Sequence, residues 1–245
     1  MKYTILGAGS GLPHPDYHLS SLVFQTNQGN FLIDCGEGTS KQLIKHKFDH
    51  NFLNAIFISH YHPDHIAGIY MVLQMLYLQG RTKPLNLFLP ERPAAFIETM
   101  HMFYTFEQRF PFALNVYEVL ETGQYYSNIS VALTDHLTGY GEFIKSQQYP
   151  NTMHSFCFNL RDDNKTLVYT SDISTFSNIQ PILENADVII LDALHPDAEL
   201  IISLIQIPDK YLILNHGISD KLKIWMDNNP HNNVYFAQEN VTNNL

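Results

Sequence analysis

His60, Tyr61, His62, Pro63, Asp64 and His65 put three imidazoles and one carboxylate into six consecutive residues. Imidazole nitrogen and carboxylate oxygen are ligands for Zn2+, Mn2+ and iron. The apolar run LNAIFIS precedes the cluster and the helical run IAGIYMVLQMLYLQG follows it. In extended backbone alternate side chains project to one side, so His60 and His62 converge on one point. Asp64 and His65 fall where the chain turns into the helix, which aims them at a second point near the first. The spacing therefore describes one site for two metals, His60 and His62 on one and Asp64 and His65 on the other. A polar loop that is histidine-rich by chance does not account for four ligand-type residues at such a junction. Two adjacent metals bridged by a water lower its pKa toward neutrality and neutralise charge that builds in a transition state. The expected chemistry is metal-assisted hydrolysis, and no strained Ser or Cys motif competes as a nucleophile.

The elements that must position this cluster are short and numerous. Apolar runs bounded by Gly, Pro, Asn or Asp predict strands at 2–6, 21–26, 30–34, 54–59, 85–89, 114–119, 128–134, 155–161, 166–171, 187–192, 210–215 and 233–237. Longer amphipathic stretches predict helices at 39–47, 65–80, 91–107, 176–185, 197–206 and 219–228. Strands come first, helices are inserted among them, and the pattern repeats in the second half. This order suits stacked sheets with helices outside rather than a doubly wound parallel sheet. Neither a linker-like composition nor an internal repeat divides the chain, so one domain over 1–245 is expected. The polar and aromatic stretch 137–153 reads as a long loop, a length that is usually functional. The Gly7-Ala8-Gly9-Ser10-Gly11 loop is not a dinucleotide fingerprint, because Pro13 and Pro15 follow where a helix should start.

Composition sets outer bounds. The 245 residues include 24 acidic and 14 basic side chains, a formal charge of −10, and 13 histidines. An apolar share of 45% excludes disorder as the main state. So few Lys and Arg argue against a non-specific grip on nucleic acid. Cys35 and Cys157 are too few for a disulfide framework, which suits a reduced, intracellular chain with buried thiols. The N-terminal apolar stretch is too short for a secretory signal, and no run is long enough to span a membrane. A cytoplasmic protein with no membrane partner is expected.

SHYHPDH resembles the H-x-H-x-D-H signature of the metallo-β-lactamase-fold hydrolases. The stretch ILGAGSGLP…HLSSLVF…FLIDCGEGTSKQL resembles the opening of that superfamily's ribonuclease Z branch, closely over residues 3–70 and by motif thereafter. The resemblance implies a four-layer αββα sandwich of two mixed β-sheets flanked by helices. It also implies the remaining donors, since two metals need about seven or eight. Asp172, ending TLVYTSD, resembles the family's bridging aspartate, and His216, ending YLILNH, its last histidine. His136, ending ISVALTDH, resembles the third histidine of the first metal. His154 is the alternative, but it precedes its strand, whereas a ligand belongs at a strand's outgoing end; it could line the substrate pocket instead. Asp34 in IDCGEG matches an aspartate that accepts a hydrogen bond from a ligand histidine. His195 in LDALHPD resembles the His-Pro of phosphodiesterases of the carbon–phosphorus lyase pathway, which implies proton transfer at the scissile phosphate. His14, His18, His46, His50, His101 and His231 read as surface or turn residues, although His14 and His18 sit by a glycine loop that could border the site.

The resemblance implies a binuclear metal-dependent hydrolase with two divalent ions, zinc by expectation and Mn2+ or Fe as alternatives. Oxygen-reducing members carry Glu where this chain has His62, which favours hydrolysis. The leading expectation is a phosphodiesterase in which a metal-bridging hydroxide attacks a small cyclic or nucleotide-type diester. Asp64 would orient that nucleophile and His195 would protonate the leaving oxygen. Three alternatives stand beside it: a ribonuclease Z-like endonuclease at RNA 3′ ends, a lactone or thioester hydrolase, and a non-catalytic metal-binding sensor or scaffold. The long basic arm that ribonuclease Z uses to hold RNA is not evident, and a homodimer is compatible with the resemblance.

Overall fold

The computed structural model describes residues 1–207 and 210–245, in two compact units. The first comprises Met1–Thr122 with Glu239–Leu245, and the second Gly123–Gln238.

In the first unit β1 (Lys2–Gly7), β2 (Ser21–Thr26) and β3 (Gly29–Ile33) form an antiparallel meander. Parallel strands β4 (Ala55–Phe57), β5 (Leu85–Leu89) and β6 (Leu114–Glu118) extend it from β3. Nearly every residue from Phe31 to Ile33, Ala55 to Phe57 and Leu85 to Leu89 is buried. Strands covered on both faces read as unbroken apolar runs, which is how they stand out in the sequence. The helices are α1 (Thr39–Lys45), α2 (Pro63–Ile66), α3 (Ile69–Leu78) and α4 (Pro93–Met102). Ile69, Val72, Leu73 and Leu76 form the i, i+3, i+4, i+7 stripe of α3 and join Leu6, Val23, Leu32, Ile56 and Leu87 in one core. Phe31, Phe57, Phe88 and Tyr117 run as a row of rings across adjacent strands, with centroids 5.9, 4.6 and 5.3 Å apart. Arg81 is fully buried, and its guanidinium donates to the carbonyls of His50, Leu53 and Pro84 at 2.8, 2.6 and 2.7 Å. Burial lowers its pKa to about 10, with Asp49 opposing. It therefore stays charged at neutral pH, and the three carbonyls offset the lost hydration.

A short helix, α5 (Thr122–Tyr125), leads into the second unit. There β7 (Ile129–Leu133) is followed by α6 (Gly141–Gln147), and β8 (Phe156–Asp162) and β9 (Lys165–Tyr169) complete an antiparallel meander with β7. Helix α7 (Gln180–Glu184), β10 (Val188–Asp192), α8 (Ala198–Ile205), β11 (Tyr211–Asn215), α9 (Asp220–Asn228) and β12 (Val234–Phe236) follow. Strands β9 to β12 are parallel, giving the order β12-β11-β10-β9-β8-β7. Val168, Ile189, Leu191, Leu212 and Leu214 pack with Leu183, Ile201, Leu204 and Leu222 from the helices. The chain then returns to the first unit, where β13 (Thr242–Asn244) pairs antiparallel with β1. Each sheet is thus mixed, an antiparallel meander continued by parallel strands with helical crossovers.

Two sequence expectations need correction, and one strand falls outside them all. The helix expected over 65–80 is two helices, because the Gly68 N–H donates to the Cys35 carbonyl at 2.8 Å. A Cβ on Gly68 would lie 2.1 Å from the Gly36 oxygen, so only glycine fits there. The stretch 137–153 is not wholly loop: it holds a 3-10 turn, Thr138–Tyr140, and α6. No residue of α6 is buried, so it carries no apolar period to read. Strand β13, with the polar sequence TNN, forms through backbone pairing to β1 and likewise leaves no pattern.

Both thiols are fully buried, and burial raises the pKa of each well above the ordinary cysteine range. Since the thiolate is the reactive species, native protein is expected to show no fast reaction with a disulfide reagent such as DTNB. In denaturant both cysteines should titrate. A rapid native equivalent would contradict the burial. Among the described residues no helix is long and apolar enough to cross a membrane.

Candidate metal centre

In the first unit the ligand-type residues stand at the carboxyl ends of β3 and β4, where ligands bind in open α/β sheets. Asp34 follows β3 and takes a left-handed conformation, φ 60°. Its fully buried carboxylate accepts the Ser59 N–H at 2.8 Å on Oδ1 and faces His65 Nδ1 at 2.8 Å on Oδ2. A carboxylate only accepts, so His65 carries its proton on Nδ1 and presents Nε2 as a lone-pair donor. The Cys35 N–H donates to the His65 carbonyl at 2.7 Å, and the Gly36–Gly68 approach locks this crossing. His60 and His65 are fully buried; their rings are 4.1 Å apart, and the His60 and His62 rings 4.8 Å. His65 Nε2 lies 3.4 Å from Asp64 Oδ2.

In the second unit the residues again leave strand ends: His136 after β7, Asp172 after β9, His195 after β10 and His216 after β11. Asp172 divides its carboxylate, with Oδ1 3.2 Å from His216 Nδ1 and Oδ2 3.5 Å from His136 Nε2. His195 Nδ1 is 3.7 Å from Asp172 Oδ2 and 2.9 Å from Asp192 Oδ2. Ser171 and His216 have φ of 51° and 63°. Such positions cost roughly 1–3 kcal/mol each and persist where surrounding structure imposes them. Thr134 fastens the site to its strand by donating to the Asp172 carbonyl at 3.1 Å.

These distances test whether the donors fit a metal. Two ligands on a tetrahedral ion, each bonded at about 2.05 Å, stand about 3.3 Å apart. The separations within each unit, 3.4 Å for His65–Asp64, 3.5 Å for His136–Asp172 and 3.2 Å for His216–Asp172, match that spacing. Nitrogen and carboxylate donors at this spacing suit divalent metal binding.

The structure gathers His60, His62, Asp64, His65 and Asp34 in the first unit and His136, Asp172, His195 and His216 in the second. His154 stands apart. It lines a groove of about 480 Å³ with Leu137, Ile144, Lys145 and Asn178, and its ring is 5.9 Å edge-on from Phe156. Among the described residues it joins no group of three or more ligand-type side chains.

Sequence reasoning missed two aspartates. Asp192 accepts the N–H groups of Ile173, Leu194 and His195 at 3.1, 3.0 and 3.3 Å, besides holding the His195 ring. Its one signal was a carboxylate ending an apolar strand three residues before His195. Asp135 accepts the N–H groups of Ser174 and Thr175 and the Thr175 hydroxyl, at 2.9, 3.0 and 2.5 Å. Burial pushes the Asp135 pKa up, but these hydrogen bonds win and hold it below the usual carboxylate value. The segment after Asp172 is thereby stapled to the residue before His136.

A family model described as "Anti-Pycsar protein Apyc1" matches residues 1–199, most of the chain and all of these side chains but His216. The chain belongs to the Apyc1 family. Over 120 residues it is 39% identical to the ribonuclease Z of Methanococcus maripaludis, covering 49% of this chain and 38% of that relative. The chain thus spans well under half the length of that protein. Among solved structures, the metallo-β-lactamase-fold protein YhfI from Bacillus subtilis aligns with a TM-score of 0.73 at 20% identity, covering 98% of this chain and 97% of that one. The short form of human tRNase Z aligns with a TM-score of 0.71 at 20% identity, covering 100% and 99%. The Apyc1-family chain therefore has the metallo-β-lactamase fold, of the α/β class that SHYHPDH implies.

Proposed function

We propose that this chain is a binuclear metal-dependent phosphodiesterase acting on small diesters of cyclic or nucleotide type, its two units working as one catalytic domain. The donors would be His60, His62 and His136 for one ion and Asp64, His65 and His216 for the other, with Asp172 giving one oxygen to each. Two divalent ions, zinc by preference, supply an acidified water and neutralise charge on the phosphate. The residues of the chain do the rest. Asp64 would accept a hydrogen bond from the attacking nucleophile and set its direction. His195, held at Nδ1 by Asp192, keeps Nε2 for the proton that the leaving oxygen needs. That Asp192–His195 pair, 3.7 Å from Asp172, is the observation that carries the reading: it sets a proton carrier beside a ligand carboxylate. A diester's alkoxide leaving group needs such a donor, whereas a metal sensor needs none. Reduced Cys35 and Cys157 suit a cytoplasmic location.

The ribonuclease reading keeps a claim, because the Methanococcus relative matched over the first half of the chain is named a ribonuclease Z. A formal charge of −10 favours a small diester over a folded RNA. Assaying bis-p-nitrophenyl phosphate, cyclic nucleotides, precursor transfer RNA and a lactone panel side by side decides between them. Turnover of the first two is expected. Cleavage of precursor transfer RNA alone would install the ribonuclease reading, and no turnover of the small diesters or of the RNA with metal loaded would defeat both.

Metal counting tests the ligand set. His136→Ala is expected to retain about half the metal, one four-coordinate ion of two, and His154→Ala to retain all of it. The reverse pattern, read by elemental analysis, would move the third histidine to position 154.

A further inference from the structure

The exposed segment Gly11–Tyr17 leaves β1 and returns to β2 through a narrow neck. The two limbs touch there: the Gly9 N–H donates to the His18 carbonyl at 2.8 Å, and a Cβ on Gly7 would fall 1.8 Å from the Leu19 oxygen. The tip reaches the ligand cluster, since a Cβ on Gly11 would meet the Asp64 carboxylate at 3.4 Å. What closes the neck comes from the far end of the chain. Glu239, its side chain 9% exposed, accepts the Ala8 N–H at 3.0 Å and the His18 N–H at 2.8 Å on Oε1. Its Oε2 accepts a hydrogen bond from His18 Nδ1 at 2.7 Å, a nitrogen that Gln42 Nε2 also approaches at 2.8 Å. Around it, Gln42 Nε2 donates to the Leu6 carbonyl at 3.0 Å, and the Asn240 N–H donates to the Ile5 carbonyl at 2.8 Å. One carboxylate thus grips an outgoing and a returning limb through three charge-assisted hydrogen bonds.

We propose that Glu239 is a positioning residue that clamps the neck of the 8–18 loop and so holds Gly11 as a wall against the Asp64 carboxylate. The proposal rests on the reading of Asp64 as a metal ligand that directs the attacking water. Without the clamp the limbs would keep the Gly9–His18 backbone hydrogen bond and the Gln42 amide, which donates to the Leu6 carbonyl and lies 2.8 Å from His18 Nδ1, and the tip would gain freedom to move away from Asp64. A carboxylate that must point at a reacting atom loses most from such slack, because an error near 1 Å costs up to about a hundredfold in rate. The loss falls on kcat rather than KM, since orientation of the water matters in the transition state alone.

Glu239→Ala and Glu239→Gln test this in the full chain by hydrogen exchange, Zn2+ titration of the metal-free protein, and turnover of bis-p-nitrophenyl phosphate. Glu239→Ala is expected to speed exchange of the 8–18 amides about tenfold while β2 and β3 keep their protection. Zn2+ affinity should weaken severalfold, and kcat should fall about tenfold with KM within about twofold. Glu239→Gln should restore all three, because an amide oxygen still accepts both N–H groups and neutral His18 can shift its proton to Nε2. Gly11→Val, at an exposed position, crowds Asp64 from the same side and should lower kcat and Zn2+ affinity with the neck still protected. It keeps the test alive if Glu239→Ala misfolds. Unchanged loop exchange in Glu239→Ala overturns the clamp. So does faster exchange with wild-type kcat and Zn2+ affinity, or a Gly11→Val protein that matches wild type. If the wild type turns over no diester, the phosphodiesterase reading fails, while the exchange and Zn2+ arms still decide the role of Glu239.

Discussion

Asp172→Ala is expected to lower diester turnover by about a thousandfold or more, and Asp172→Asn by nearly as much. The reason is the divided carboxylate. Its two oxygens face two different histidines, His216 at 3.2 Å and His136 at 3.5 Å. In the proposed site each oxygen therefore serves a different ion. Alanine removes a donor from both at once, whereas His136→Ala removes one donor from one. Asparagine keeps the shape but brings no charge and offers one oxygen with one NH2 group. Losing several kcal/mol of charge stabilisation corresponds to about three orders of magnitude in rate. Metal content should fall in parallel and so separates this loss from a purely catalytic one. A variant that keeps both ions and more than a tenth of its activity would remove Asp172 from the centre.

His195→Ala should leave metal content intact and slow the reaction according to the leaving group. Diesters with alkoxide leaving groups, cyclic nucleotides included, should lose about a hundredfold or more, within the range of a positioned general acid. Nitrophenyl diesters, whose leaving group departs as a stable anion, should lose less than about tenfold. The expectation grows from the Asp192 contact: the carboxylate holds Nδ1 at 2.9 Å and accepts three backbone N–H groups, so the ring is fixed and Nε2 lies on the side away from that contact. Asp192→Asn should reproduce part of the same leaving-group dependence, because it can turn an amide donor toward Nδ1 and change which nitrogen carries the proton. Equal slowing of all diesters by His195→Ala would assign the residue to binding instead.

How far the site can be read from sequence depends on chain distance. His60, His62, Asp64 and His65 are legible because one strand end and one helix start hold them all, and strand periodicity alone places the first two on one side. Asp172, His136 and His216 share only a position after an apolar run, which many surface residues also occupy; resemblance to a family singled them out. Asp192 escaped notice because a carboxylate ending a strand is common, and its meaning comes from the turn that folds Leu194 and His195 back onto it. Glu239 had no signal of any kind, being more than 220 residues from the loop amides it accepts.

By itself the sequence determined the strand-rich α/β class, the buried thiols and a histidine cluster with the chemistry of a metal ligand, all properties of local pattern and residue type. The break at Gly68, the tautomer of His65 and the split carboxylate of Asp172 were decided by tertiary structure alone. Each depends on which backbone or side chain arrives from a distant segment. A hydrogen bond or a close approach between segments far apart in the chain leaves no period in the residues that make it.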